Sequence, residues 1–175
     1  EMTGPGVSSG QAAILADLAA QSASVRETGA VVVTVVGEPG SGKSHLLQTA
    51  HRRHRDAHGA DRVLWAQALP WEAAQPGAVI AQLLQRESAT DADLLAALDG
   101  PGPIMVVIDD AQHTDTESQH RLISLLTRHR SLPVVLLRAV ASPTDVMGVA
   151  AERVVTQAGM GQACYRPPGS GVSCT

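Results

Sequence analysis

The sequence predicts an α/β domain built on a mostly parallel sheet. Three observations carry that prediction. Short apolar runs at 30–36, 62–69, 104–108 and 134–140 each read as a strand buried on both faces. Segments with helical apolar spacing separate them, which is the alternation a parallel sheet requires. Hydrophobic residues make up 44% of 175 residues, enough for the core of one domain.

The elements follow in order. Residues 1–10, rich in Gly, Ser and Pro, read as a loose lead-in. Ile14, Leu15 and Leu18 give a helical stripe within Gln11–Gln21. The β-branched run Ala30–Val36 is the first strand, and the Gly-rich turn Gly37–Gly42 follows it. A helix runs from Lys43 to about Ala57, with Gly59 as its stop. Arg62–Leu69 is the second strand, ended by Pro70. Val79–Arg86 and Asp91–Leu98 carry helical stripes, and Gly-Pro-Gly-Pro at 100–103 breaks the chain. Ile104–Ile108 is the third strand and runs into Asp109-Asp110. Thr114 and Glu117 have capping-box spacing and open a helix to about Arg130. Val134–Val140 is the fourth strand. Ser142-Pro143 suits a helix start, for a short helix to about Val154. The core domain is expected over 11–155, truncated after this fourth strand. Residues 156–175 are expected to form a disordered or abnormal tail.

Composition excludes several classes. The net charge is −4, so no global basic field exists to hold nucleic acid, and direct nucleic-acid binding by this segment is not expected. No apolar run approaches the roughly 20 residues of a membrane span. The N-terminal residues lack the basic and apolar regions of a signal peptide. Both cysteines fall in the last twelve residues, which argues against a disulfide scaffold and for a cytoplasmic location. The chain has twelve arginines and a single lysine, Lys43.

That lysine sits in Gly37-Glu38-Pro39-Gly40-Ser41-Gly42-Lys43-Ser44, which matches G-x-x-x-x-G-K-[ST] at every fixed position. The spacing has a physical reason. Glycines let the backbone wrap a phosphate with its N–H groups inward. The N-terminus of the following helix, from Lys43 through His45, adds free amides and partial positive charge. Lys43 supplies a point charge for the β- and γ-phosphates, and Ser44 a hydroxyl for Mg²⁺. An apolar strand before the loop and a helix-compatible segment after it complete the required context.

About 65 residues later, the apolar strand 104–108 delivers Asp109 at its C-terminal edge, where ligands bind in open α/β sheets. Asp109 is a candidate Mg²⁺ ligand. Asp110 is the candidate residue for orienting an attacking water. Aspartate is one methylene shorter than glutamate and reaches roughly 1.5 Å less, so slow hydrolysis is expected. The two motifs, with a strand between them, predict a P-loop NTPase three-layer sandwich of the ASCE type that takes a nucleoside triphosphate with Mg²⁺.

Other residues read more blandly. His51, His54 and His58 fall at i, i+3 and i+7, but no Cys or carboxylate completes a metal set, so they read as a solvated helix face. Gln112, His113 and Arg138 are weaker candidates for sensing a γ-phosphate. Trp65 and Trp71 read as packing residues.

Elimination narrows the class. The guanine-site N-K-x-D of classical GTPases is impossible here, because the chain has no Asn. The sensor Asn common in AAA+ proteins is likewise impossible, and no L-S-G-G-Q-like transporter element exists. Val106-Val107-Ile108-Asp109-Asp110-Ala111-Gln112-His113-Thr114-Asp115 resembles the VDDAQWAD-type element of STAND-class ATPases, with His113 in place of the usual Trp. It is most similar to that of large ATP-binding LuxR-type transcriptional regulators and related AAA-type domains. Val35–Leu47 resembles the same family's phosphate loop, and the resemblance spans about residues 8–155. It implies an ATP/ADP switch domain of a signalling or transcriptional regulator. The partners expected are ATP and ADP, a second copy, or regulatory domains such as a lid and a DNA-binding domain. A small P-loop kinase or other phosphotransferase is the alternative.

Overall fold

The computed structural model describes residues 9–149, 151–158, 162–166 and 173–174. Its strands are β1 (Val31–Val36), β2 (Val63–Gln67), β3 (Ile104–Asp109), β4 (Val134–Val140), β5 (Glu152–Ala158), β6 (Gln162–Arg166) and β7 (Ser173–Cys174). They form one sheet in the order β2-β3-β4-β1-β5-β6-β7. The first five are mutually parallel. β6 and β7 extend the edge antiparallel. The helices are α1 (Ser9–Thr28), α2 (Lys43–His58), α3 (Ala78–Leu84), α4 (Asp91–Leu98) and α5 (Thr116–Arg128).

Strand alternation sorts the side chains into two cores, one on each face. Val31, Val33 and Val35 of β1 pack with Ile14, Leu15 and Leu18 of α1 and Leu46, Leu47 and Ala50 of α2. Val32 and Val36 face the other way, toward Ile80 and Leu83 of α3, Leu94 and Leu98 of α4, and Leu122 of α5. The result is the three-layer sandwich that the doubly buried strands predict. Among the described residues no helix is long and apolar enough to cross a membrane.

Four expectations change. The fourth strand is not the last, because β5 adds a fifth parallel strand on the far side of β1. The helix expected from Ser142 shrinks to a single 3₁₀ turn at Pro143–Asp145, because Glu152–Ala158 pairs with β1. β5 thereby carries regular structure past residue 155. Residues 162–166 are also a strand, while 159–161, 167–172 and 175 of the expected tail lie outside the described residues. The lead-in lies outside them up to residue 8, and α1 then runs from Ser9 well beyond the expected Gln21.

The N-cap of α5 is Asp115, not Thr114. Its carboxylate accepts from the Ser118 amide at 2.9 Å. It also accepts from the amides of Gly77 (2.6 Å) and Val79 (3.0 Å), tying the start of α3 to the start of α5. Burial pushes the Asp115 pKa up, but the hydrogen bonds from Val79, Ser118 and Gly77 outweigh it and hold it below the usual aspartate value.

Candidate functional site

The phosphate-loop sequence connects β1 to α2 at the C-terminal edge of the sheet. Gly37 donates its amide to the Val140 carbonyl at 3.2 Å, which fastens the loop's start to β4. A Cβ on Gly37 would lie 2.5 Å from Ser41 Oγ and 2.7 Å from the Gln157 carbonyl oxygen, so only glycine fits. Gly42 has φ 90°, a left-handed conformation that turns the chain directly into α2. Glu38, Pro39 and Gly40 form the exposed tip, and Ser41 donates its amide back to the Glu38 carbonyl at 3.1 Å. Lys43 is buried at 7% exposure, with Nζ donating to the carbonyls of Gly37 and Glu38. Ser44 and His45 are exposed on the first turn of α2.

β3 brings its acidic end to the same place. Asp109 is 3% exposed and faces α2, like Met105 and Val107 on the same strand. Ser44 Oγ donates to Asp109 Oδ2 at 2.7 Å across 65 residues of sequence. The other carboxylate oxygen, Oδ1, accepts from the Asp110 amide at 2.9 Å. A hydroxyl and a carboxylate at this distance are hard oxygen donors of the kind Mg²⁺ takes, one or two from protein and the rest from phosphate and water. Among the described residues no group of three or more His, Cys, Asp and Glu side chains could hold a metal ion by itself.

Asp110 leaves the strand in the left-handed region, with φ 49° and ψ 44°. Gln67 at the end of β2 donates Nε2 to Asp110 Oδ2 at 2.6 Å. Gln67 is in turn held through its backbone, its amide donating to Gln82 Oε1 and its carbonyl accepting from Gln82 Nε2. Sequence reading missed Gln67. The one signal available was a polar residue inside the apolar run that enters Pro70.

The weaker candidates separate. Arg138 lies inside β4 rather than at its end, level with Thr34 of β1. It is a buried ion-pair residue: NH1 lies 3.6 Å from Glu152 Oε2 and donates to Thr34 Oγ1 at 3.2 Å. Burial lowers its pKa from the ordinary arginine value, while Glu152 and Asp145 oppose that fall. Gln112 Oε1 is buried without a partner among the described residues. His54 is not on a solvated face. It is 5% exposed, within hydrogen-bond reach of Ser22 Oγ and the Pro103 carbonyl, and burial pushes its pKa down to about 4. Trp65 packs edge-on against His51, as a packing residue should, whereas Trp71 is 72% exposed.

Comparison with known proteins bears on the family and the fold. The family model described as an AAA domain matches residues 7–137. Solved structures share the fold at low identity. A Drosophila ORC structure bound to poly(dA/dT) DNA and Cdc6 matches with TM-score 0.60 at 14% identity, covering 87% of this chain and 29% of that one. The Aeropyrum pernix ORC2 protein matches with TM-score 0.54 at 14% identity, over 77% of this chain and 41% of that one. PCH-2 of C. elegans matches with TM-score 0.54 at 15% identity, over 84% and 42%. This chain therefore spans well under half the length of these proteins. No curated protein matches it in sequence. The missing Asn rules out one sensor side chain but not the architecture, and the chain belongs to the AAA domain family.

Proposed function

We propose that this nucleotide-binding AAA domain is a MgATP-dependent switch that hydrolyses ATP slowly, within a STAND-class signalling regulator or a LuxR-like transcriptional regulator. One observation carries the reading: Ser44 and Asp109, 65 residues apart, meet at 2.7 Å beside Lys43. In this proposal the loop Gly37–His45 cradles the phosphates with the main-chain amides of Gly40 and of Gly42, Lys43, Ser44 and His45. Gly37, Glu38, Pro39 and Ser41 shape the turn, the Gly37 and Ser41 amides being engaged by the Val140 and Glu38 carbonyls. Lys43 neutralises the β- and γ-phosphates. Ser44 and Asp109 hold Mg²⁺, which when bound would screen phosphate charge. Asp110 orients the attacking water. The Aeropyrum relative was solved in ADPNP-ADP complexes, which supports adenine nucleotides as the ligands. The similarity of 106–115 to the STAND-type element supports a switch that exchanges ATP and ADP states against a lid, sensor domains or a second copy.

The test is thermal melting with MgATP, MgADP, MgGTP and no nucleotide, beside Lys43→Ala. Ligand at 100 times its Kd adds about 2.7 kcal/mol, or roughly 5–10 °C for a chain of this size. An adenine-selective shift that vanishes in Lys43→Ala is expected. An equal shift with GTP, or one that survives the substitution, would overturn the assignment.

A further inference from the structure

β5 does more than extend the sheet. Its register places Thr156 level with Val36, so Gln157 stands beside Gly37, the first residue of the phosphate loop. Val155 packs on the α1–α2 face, and alternation turns Gln157 to the same side. An apolar residue would suit that position, yet it holds a glutamine that is 5% exposed. Gln157 Nε2 donates to the Ser41 carbonyl at 2.8 Å. Among the described residues its Oε1 has no partner, and neither does the neighbouring Ser41 Oγ. A buried amide with an orphaned acceptor destabilises a fold. Stability alone does not explain this choice.

The peptide plane supplies a reason. In a trans peptide the carbonyl of one residue and the N–H of the next point in opposite directions. Gln157 draws the Ser41 carbonyl toward β5, so the Gly42 N–H is turned away from β5. Gly42 itself is hemmed in, since a Cβ there would lie 3.2 Å from both Gln11 Nε2 and Gln157 Nε2. Left-handed residues alternating with neighbours in a loop of this kind create an anion-binding concavity only when successive N–H groups converge. We infer that Gln157 is a positioning residue of the phosphate loop: its amide fixes the Ser41–Gly42 peptide so that the Gly42 N–H faces the bound phosphate. The inference rests on the nucleotide reading above and adds a residue from a strand that carries none of the loop motif.

Gln157→Met tests it, because methionine keeps the length and volume and removes the donor. Two readouts are needed, melting without ligand and displacement of a fluorescent ADP analogue by MgADP and by pyrophosphate. The variant should melt close to the wild-type temperature, since the orphaned Oε1 is removed while the Ser41 carbonyl loses its donor. MgADP and pyrophosphate should both bind roughly tenfold more weakly, the loss expected from one misdirected amide donor to a charged ligand. Gln157→Glu, which retains size but turns a carboxylate toward the Ser41 carbonyl, should bind more weakly still. Binding within twofold of wild type in both variants would overturn the inference while leaving the nucleotide reading intact. So would weakened MgADP binding with unchanged pyrophosphate binding, or a fall in melting temperature matching the lost affinity. A wild-type chain that binds neither probe would instead sink the nucleotide reading, and this inference with it.

Discussion

Asp109 and Asp115 lie six residues apart, and each is almost wholly buried, at 3% and 1% exposure. Their surroundings differ. Asp115 accepts three backbone amides from two helices, and those bonds hold its pKa down. Asp109 accepts one hydroxyl and its neighbour's amide, and the hydroxyl belongs to Ser44, next in sequence to the buried Lys43. A carboxylate saturated by main-chain donors is a fastening. In the proposed site, one that spends a lone pair on a serine hydroxyl is available to exchange that partner for a cation. Burial alone does not separate the two roles, but the identity of the donors does.

The comparison breaks most visibly at Asp115. Asp115→Ala strands three amides that now share one carboxylate, and each unsatisfied buried group costs about 1–3 kcal/mol. With partial relaxation the loss should be about 3–5 kcal/mol, or roughly 10–15 °C in Tm by thermal melting. A loss below about 1 kcal/mol would show that water or neighbouring groups replace the carboxylate, and the fastening role would fall.

Asp109→Asn should behave in the opposite way. It removes charge from a buried site while keeping shape and an acceptor for Ser44, so ligand-free stability should hold or rise slightly. The stabilisation by MgATP, about 2.7 kcal/mol at 100 times Kd, should drop in the variant to what nucleotide gives without Mg²⁺. If MgATP still protects Asp109→Asn more than ATP with EDTA does, the metal-ligand assignment is wrong.

Acid separates the two carboxylates again. Because the folded-state pKa of Asp115 is depressed, its contribution is fully present above the unfolded aspartate value of about 3.9. That contribution is lost as pH falls through the folded-state value. The stability difference between wild type and Asp115→Asn should therefore stay constant from neutral pH to about 5 and shrink below 4. His54, pushed down to about 4, destabilises the fold between 6.5 and 4, but it titrates in both proteins and cancels in the difference. A difference that stays flat below pH 4 would mean that Asp115 carries an ordinary folded-state pKa, and one that grows as pH falls would mean a raised one.

These residues also mark what sequence can and cannot convey. The loop at 37–45 and the strand ending in Asp109 are written locally, because a Gly-Lys turn and an apolar run ending in acid are contiguous patterns. The parallel sheet was legible for the same reason. β5 was not. Its run of Arg153, Val154, Val155, Thr156 and Gln157 is short and polar at both ends, and only pairing with β1 makes it a strand. Glu152 reads as a surface residue in sequence. In the fold it is buried against Arg138 and Thr34 and accepts the amides of Met147 and Gly148. Thr114 and Asp115 both suit an N-cap, and contact with α3, 36 to 38 residues away, decides between them. Gln67 and Gln157 fall in the same class, since their partners are distant in sequence and their residue type alone signals nothing.

Gln67 gives the smallest expected effect and the sharpest question about Asp110. Its Nε2 holds Asp110 Oδ2 at 2.6 Å, a short hydrogen bond in a part-buried setting. While that bond stands, one carboxylate oxygen is committed to β2 and not to a water beside the phosphate loop. Gln67→Ala removes the side-chain bond but leaves the backbone bonds from Gln67 to Gln82, so β2 and α3 stay joined. Stability should change by less than about 1 kcal/mol, within the range of a part-buried polar truncation. ATP turnover, measured by phosphate release, should rise about three- to tenfold, because Asp110 no longer has to break that bond before it can orient water. Asp110→Asn should lower turnover in either background. A drop in turnover in Gln67→Ala would reverse the assignment, making Gln67 the residue that presents Asp110 to the reaction rather than the one that restrains it.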